Sequence, residues 1–528
     1  MRENGKSDQS GLADDASGRL NPRMKNGEPI RLSRRVLLGA MLAGGANLAT
    51  GAIAGITQSP IPQPRPQGFH KRAATTARDI LKKADLGGQF SAAVANASTG
   101  DIVESTNPLR AMPPASVTKA ITALYALDAL GENYRFATVL RAAGPIIDGR
   151  LSGDLILQGG GDPTLDTDAL ASLAVALKSA GVREVTGALR IDTSALPNMH
   201  EIDPTQKTYA SYNPAISALN LNYNRVHFEW RREGANYTTT MQARTDHQRP
   251  AVRIAKIRIE ARNTPLFTYA SDAGIDHWSV ARAALGKGGS RWLPVRKPAQ
   301  YTAEVFSTMA RAQGIKLGSG AALTADPAIP STEITRIESA PLRDILKDML
   351  KYSTNLTAEV TGLAATAARG VMATDLASSA AEMNIWIQEQ LGTRHAYFVD
   401  HSGLGQDSRI SSSDMTRLLG HPQALAVLRP ILKPIALRDS QGKVQKEAKI
   451  AVFAKTGTLD FVSALAGYVT TQDDTLLAFA IFNGDLDRRA QAHERGEEIP
   501  QGARAWNKRA KTLQQDLIER WALVHSLD

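Results

Sequence analysis

Ser116-Val117-Thr118-Lys119 sets a hydroxyl and an amine three residues apart. On a helix that spacing places both on one face. Pro113 and Pro114 ahead of an apolar run to Leu130 predict a helix over 116–130 with the serine at its N-terminus. Backbone N–H groups there point at any negative charge developing near the serine oxygen. A lysine can take the hydroxyl proton only while neutral, and burial or a second cation lowers its proton affinity. The chemistry implied is acyl transfer through a serine nucleophile. Alone the pattern is weak, because Ser440-Gln441-Gly442-Lys443 repeats it. That second copy reads as a loop with no role.

A second constellation is Ser353-Thr354-Asn355, just after the helical run Leu342–Tyr352. Its hydroxyl could relay a proton between lysine and leaving group, and its amide could hold a substrate carbonyl. Ser105-Thr106-Asn107 and Ser211-Tyr212-Asn213 share the spacing. Ser105 precedes the nucleophile in the chain, whereas Ser211 stays a competitor. The third, Lys455-Thr456-Gly457-Thr458, occurs once and lies in a strand-like run between Val452-Phe453 and Phe461-Val462. It can present a cation and a hydroxyl to a carboxylate, with a glycine that lets a ligand approach the backbone. A turn with a solvated lysine is the plainer reading of that motif taken singly.

These residues need elements to carry them. Helical spacing covers 73–84, and 90–97 with 101–106 read as a hairpin turning at Ser98-Thr99-Gly100. A region of different texture, rich in glycine turns and alternating strands, runs from 136 to 294. It holds Gly159-Gly160-Gly161-Asp162-Pro163, which lacks the Gly-Lys-Ser/Thr of a phosphate loop. Helical patterns resume at Pro298 and include 341–366. Strands are expected at 450–454, 461–471 and 475–482, and a closing helix at 504–524. A sheet assembled from both chain ends between helices implies an α/β (α+β) domain at 73–135 and 295–528, with 136–294 inserted.

With 528 residues the chain is long enough for two or three domains. It has no cysteine, which excludes disulfides, thiolate metal sites and cysteine nucleophiles. The net charge of +10 is scattered, without a basic helix or aromatic-studded basic strand, so nucleic acid is not the expected partner. Ser33-Arg34-Arg35 stands before an uncharged stretch from Val36 to Ile56 containing Ala52-Ile53-Ala54. Residues 1–54 therefore read as a twin-arginine-like export signal, or a membrane anchor if uncleaved. Alternating prolines from Pro60 to Pro66 make 55–72 an extended linker.

Taken together and in this order, the three motifs are the signature of serine β-lactamases and penicillin-binding proteins. The chain resembles the low-molecular-mass penicillin-binding protein 4 group of D-alanyl-D-alanine carboxypeptidases/endopeptidases over about 75–525. The resemblance rests on Pro114–Lys119, Gly159–Leu165, Pro341-Leu342-Arg343, Met349–Asn355, Asp400–Leu404, Lys455–Leu459 and Ala466–Val469. More than two hundred residues separate Ser116 from Ser353, which matches the insert of that group and favours Ser353 over Ser211.

The resemblance implies a DD-peptidase/β-lactamase-like domain, an antiparallel sheet flanked by helices. It implies Ser116 as nucleophile, Lys119 as base, Ser353 as relay, Asn355 as the group orienting the peptide, and Lys455 as positive field. The N–H groups of Ser116 and Thr458 would form the oxyanion hole. Thr456 and Thr458, about Gly457, would take the substrate carboxylate. Stem peptides ending in or cross-linked through D-Ala are the implied substrates and β-lactams covalent ligands, in the periplasm, with no metal or cofactor. A β-lactamase, an esterase or amidase, and a non-enzymatic wall-binding protein are the alternatives. The chain departs from the family at Thr354, where Asp or Asn is usual, and at His401, where glycine is expected. That histidine reads as structural.

Overall fold

The computed structural model describes residues 69–526 apart from 319–321, 327, 440, 446, 447 and 499. The expected export signal and most of the linker lie outside the described residues, as does Ser440. The end of the linker, Phe69–Arg72, is helical.

The site is built on a five-stranded antiparallel sheet. Its strand order is Ile102–Thr106, Gln89–Asn96, Leu476–Gly484, Val462–Thr470, Ala451–Leu459. The hairpin near the N-terminus thus shares a sheet with three strands from the far end of the chain, pairing with Leu476–Gly484, as expected. The strand Val462–Thr470 is buried from Val462 through Val469, the apolar run of a strand covered on both faces. One face packs on Ala503–Val524 and Ala77–Ala84 through Val452, Leu465, Phe479, Leu517 and Trp521. The other packs on helices that include Thr118–Leu130, Leu342–Tyr352, Asn355–Ala368 and Leu376–Leu391. Thr118–Leu130 is buried from Thr118 to Ala126 and has apolar side chains all round, which suits a helix inside the layer.

No strand from 136–294 enters that sheet. The middle region has a mixed sheet of its own, ordered Leu323–Thr324, Leu189–Asp192, Asp154–Gly159, Ala137–Ala143, Thr332–Glu338. Three three-stranded sheets accompany it, centred on Arg225–Glu233, on Ile275–Ala281 and on the short strand Arg150–Leu151. Helices Thr167–Ser179 and Pro298–Ala312 share its core, with Leu173, Leu177, Tyr301 and Phe306 buried. That core is completed by a helix and two strands beyond residue 294. The texture change at 294 marks where strands give way to a helix, and a helix can close the same core.

Two expected elements differ in a way that matters. The helical pattern over 341–366 is two helices, broken at Ser353, whose φ of 63° and ψ of 37° are left-handed. The expected helix from Ser116 begins instead with a 3₁₀ turn, Ala115–Val117, before the α-helix starts at Thr118.

Candidate active site

Ser116 is half-buried in that 3₁₀ turn, where the chain enters the sandwich between sheet and helices. Ala115 has a φ of 45°, a sparsely populated conformation for a residue with a Cβ. The turn is held from two sides by glycines. A Cβ on Gly457 would sit 2.6 Å from the Pro114 carbonyl and 3.0 Å from the Ala115 Cβ. A Cβ on Gly403, at φ +74°, would sit 1.9 Å from the Ala115 carbonyl. The glycine of the third motif therefore also lets the edge strand close on the nucleophile turn.

One turn into the helix, Lys119 is fully buried. Its Nζ lies 2.9 Å from Ser116 Oγ, 2.7 Å from Asn355 Oδ1 and 2.8 Å from the Ser402 carbonyl. Burial pushes the amine down to about 8, against the pull of Glu359 and Asp400. A neutral amine has two hydrogens and one lone pair. The Asn355 and Ser402 oxygens can only accept, so they take both hydrogens. The lone pair is left for the Ser116 O–H. Three partners thus aim the basic form of Lys119 at the hydroxyl.

The break between the two helices carries the second motif. Ser353 caps Leu342–Tyr352, Thr354 precedes the next helix, and Asn355 is its first residue. Lys455, fully buried on the edge strand Ala451–Leu459, donates from Nζ to Ser353 Oγ at 2.9 Å and to the Thr456 carbonyl at 2.7 Å. Burial first, then Lys119 and Lys433, lowers the proton affinity of Lys455. Asn355 Nδ2 donates to the Tyr212 carbonyl at 2.8 Å. Both ends of the Asn355 amide are therefore engaged within the protein, one by Lys119 and one by the middle region. Ser211 is adjacent, yet Lys455 bonds Ser353. Asn213, the last residue of that competing motif, is buried and binds Ile202 and Asp203.

The edge strand supplies the rest. The Ala454 N–H donates away from the sheet to the Lys433 carbonyl at 3.1 Å, and the Val452 carbonyl accepts from Ile435 at 2.8 Å. With a two-residue period, Thr456 and Thr458 turn their main-chain groups to that same outer edge. Beyond Ala454 this edge has no neighbouring strand among the described residues, and of its outward groups the Thr456 carbonyl is taken by Lys455. Thr456 is half-buried and Thr458 exposed. Among the described residues neither hydroxyl has a hydrogen-bond partner, so both can serve a ligand. The eight expected site residues come from both layers of the sandwich, Ser116, Lys119, Ser353 and Asn355 from the helices and Lys455, Thr456, Gly457 and Thr458 from the edge strand.

Sequence reasoning left other neighbours unassigned. The segment Asp400–Leu404 forms the rear wall. Glu359, fully buried, accepts from the Ser402 N–H through Oε1 and from the His401 N–H through Oε2, both at 2.9 Å. Asp400 accepts from Gly403 and Gly405 at 2.7 and 2.6 Å. Burial and the neighbouring Asp400 push Glu359 up to about 8. Its signal was legible, since it is the only charge in the apolar helix Asn355–Ala368. His401 is structural, as expected. Burial drives its ring down to about 3, so it is neutral, and its Nε2 pairs with Ser379 Oγ at 2.8 Å. Among the described residues no group of His, Asp or Glu is arranged to hold a metal ion.

An antiparallel sheet closed over a serine–lysine pair, with a second serine–lysine pair facing it, defines a serine acyl-transfer enzyme of the DD-peptidase/β-lactamase-like fold. The chain belongs to the D-Ala-D-Ala carboxypeptidase 3 (S13) family, whose model matches residues 73–501. It is 28% identical over 478 residues to a D-alanyl-D-alanine carboxypeptidase of Actinomadura sp. (strain R39), covering 80% of this chain and 85% of that protein. It is 24% identical over 442 residues to the D-alanyl-D-alanine carboxypeptidase DacB of Haemophilus influenzae, covering 78% and 90%. The fold is that of penicillin-binding protein 4 from H. influenzae, with a TM-score of 0.67 at 22% identity over 84% of this chain and 99% of that one.

Proposed function

We propose that the protein is a serine-type D-Ala-D-Ala carboxypeptidase of peptidoglycan stem peptides, able also to cut D-Ala cross-links, and that it is acylated by β-lactams. The observation that carries this is the aim of Lys119, whose two hydrogens are taken by carbonyl oxygens while its lone pair faces Ser116. Ser116 attacks the carbonyl between two D-alanines as its proton passes to Lys119. The N–H groups of Ser116 and Thr458 hold the oxyanion. The C–N bond breaks as Ser353, beside Lys455, relays the proton held by Lys119 to the leaving amine, which returns Lys119 to its neutral form. Water then hydrolyses the ester. Asn355 orients Lys119, and Thr456 and Thr458 take the terminal carboxylate.

The same reading makes the protein an exported, periplasmic enzyme addressed by Arg34-Arg35 and the apolar stretch that follows. Among the described residues no helix is long and apolar enough to cross a membrane. The region 136–294, with the helix and strands that complete its core, is read as an insert in the catalytic domain. Between Ser116 and Ser353 the chain has no recognisable glutamate-bearing loop to aim a water at a penicilloyl ester. Slow hydrolysis of β-lactams follows.

Incubation of the mature protein with purified muropeptides, followed by mass spectrometry, tests the assignment. Loss of one D-alanine from pentapeptides is expected, with a long-lived penicilloyl adduct in parallel. Rapid turnover of a chromogenic cephalosporin without D-alanine release would make the protein a β-lactamase. No adduct and no product would make it a wall-binding protein.

A further inference from the structure

The proposed mechanism uses the Ser402 carbonyl but leaves unexplained what holds it there. A carbonyl aimed into a buried lysine needs its peptide fixed on the opposite side. For the segment Asp400–Leu404 that opposite side is the carboxyl group of Glu359. Glu359 Oε2 takes the His401 N–H and Oε1 takes the Ser402 N–H, each at 2.9 Å. Ser402 then presents its carbonyl to Lys119 Nζ at 2.8 Å. The next residue, Gly403, lies against the Ala115 carbonyl beside the nucleophile. A buried carboxyl group gripping two successive N–H groups is a costly feature for an apolar helix to carry. Glu359 is the sole ionisable residue of Asn355–Ala368, and it lies one turn after Asn355 on that helix. The same helix therefore supplies two of the three groups that fix Lys119, one directly through Asn355 and one through the peptide that Glu359 clamps.

We propose that Glu359 is a positioning residue for acylation, clamping the His401–Ser402 backbone so that the Ser402 carbonyl occupies one hydrogen of Lys119 and leaves its lone pair on Ser116. Glu359→Gln keeps the shape but turns an N–H₂ group toward one of the two backbone N–H groups, so the clamp opens. Glu359→Asp keeps the carboxyl group and loses reach. Ser379→Ala removes the partner of the His401 ring and leaves the clamp intact, which controls for packing of the segment.

The inference rests on Ser116 being the nucleophile. Stopped-flow acylation by a fluorescent penicillin, resolved into the pre-covalent dissociation constant and the rate constant for acylation, tests it. In Glu359→Gln the acylation rate constant is expected to fall roughly 10²-fold, the size of effect that a misplacement of about 1 Å produces. The dissociation constant should stay within about twofold, because the clamp does not touch the ligand. Glu359→Asp should recover part of the rate, and Ser379→Ala should match the unsubstituted protein. If Glu359→Gln yields no folded protein, the rate constant of Glu359→Asp decides, with a reduced value at unchanged affinity expected. Unchanged acylation in Glu359→Gln, or in Glu359→Asp where that variant decides, overturns the proposal. So does a Ser379→Ala variant as slow as Glu359→Gln. Absence of any adduct in the unsubstituted protein would instead overturn the acyl-enzyme reading itself.

Discussion

The side-chain amide of Asn355 donates to the main-chain carbonyl of Tyr212 at 2.8 Å while its oxygen accepts from Lys119 at 2.7 Å. One amide thus joins the middle region of the chain to the proposed catalytic base. Its orientation is set from both ends, because a flip would put an N–H₂ group against the lysine and an oxygen against a carbonyl. The loop carrying Tyr212 is fastened in turn by Arg296. That guanidinium is almost wholly buried and donates to the carbonyls of His200, Thr208 and Asn213 at 2.9, 2.7 and 2.9 Å.

Arg296→Met is therefore expected to slow the enzyme as well as destabilise it. Three main-chain carbonyls, that of Asn213 buried, and the partly exposed Glu201 each lose the guanidinium, a change of roughly 1–3 kcal/mol. Calorimetry should show the lower unfolding temperature. Penicillin acylation measured well below that temperature should still be slower. Acylation at the normal rate would show that the loop does not set Asn355.

Acylation should follow the titration of Lys119. Burial brings the amine from its ordinary 10.5 down to about 8, and only the neutral form can accept the Ser116 proton. The rate is then low at pH 6, rises through pH 7 and levels off above about 8. An unshifted lysine would still be climbing at pH 9. Labelled-penicillin rates from pH 6 to 9 give the curve, and a flat profile would remove Lys119 as the base.

Ser116→Ala should form no penicillin adduct and release no D-alanine. Lys119→Met should keep the hydroxyl but lose the base, cutting acylation by about 10²–10⁴-fold. Peptide mapping of the labelled protein should place the adduct on Ser116. Label on Ser440 would contradict the assignment.

Gly362 and His401 are expected to be coupled. A Cβ on Gly362 would lie 2.1 Å from the imidazole Cγ, within a fully buried site. Gly362→Ala should cost roughly 1–3 kcal/mol by overpacking. Adding His401→Ala empties the space, so the double variant should unfold at a higher temperature than Gly362→Ala alone. Additive losses in a thermal double-mutant cycle would refute the contact.

Three short motifs, their order and their spacing were enough to place Ser116, Lys119, Ser353, Asn355 and Lys455 on one site. The physical reason is local. A hydroxyl and an amine three apart on a helix must share a face, and a strand must present Lys455 and Gly457 to the same side. The hairpin, the closing helix and the apolar central strands were equally plain, because burial leaves a periodic trace. Main-chain partners leave none. Nothing about the side chains of Ser402 or Tyr212 says that their carbonyls meet Lys119 and Asn355, since any residue type offers the same oxygen. Which of two similar motifs, at Ser211 or Ser353, meets Lys455 was settled by the fold, as was the strained turn at Ala115 that two distant glycines close upon. The edge of the middle region escaped for a related reason. Helix Pro298–Ala312 and strand Thr332–Glu338 complete a core made mostly of earlier residues, and only long-range packing tells to which core an amphipathic element belongs.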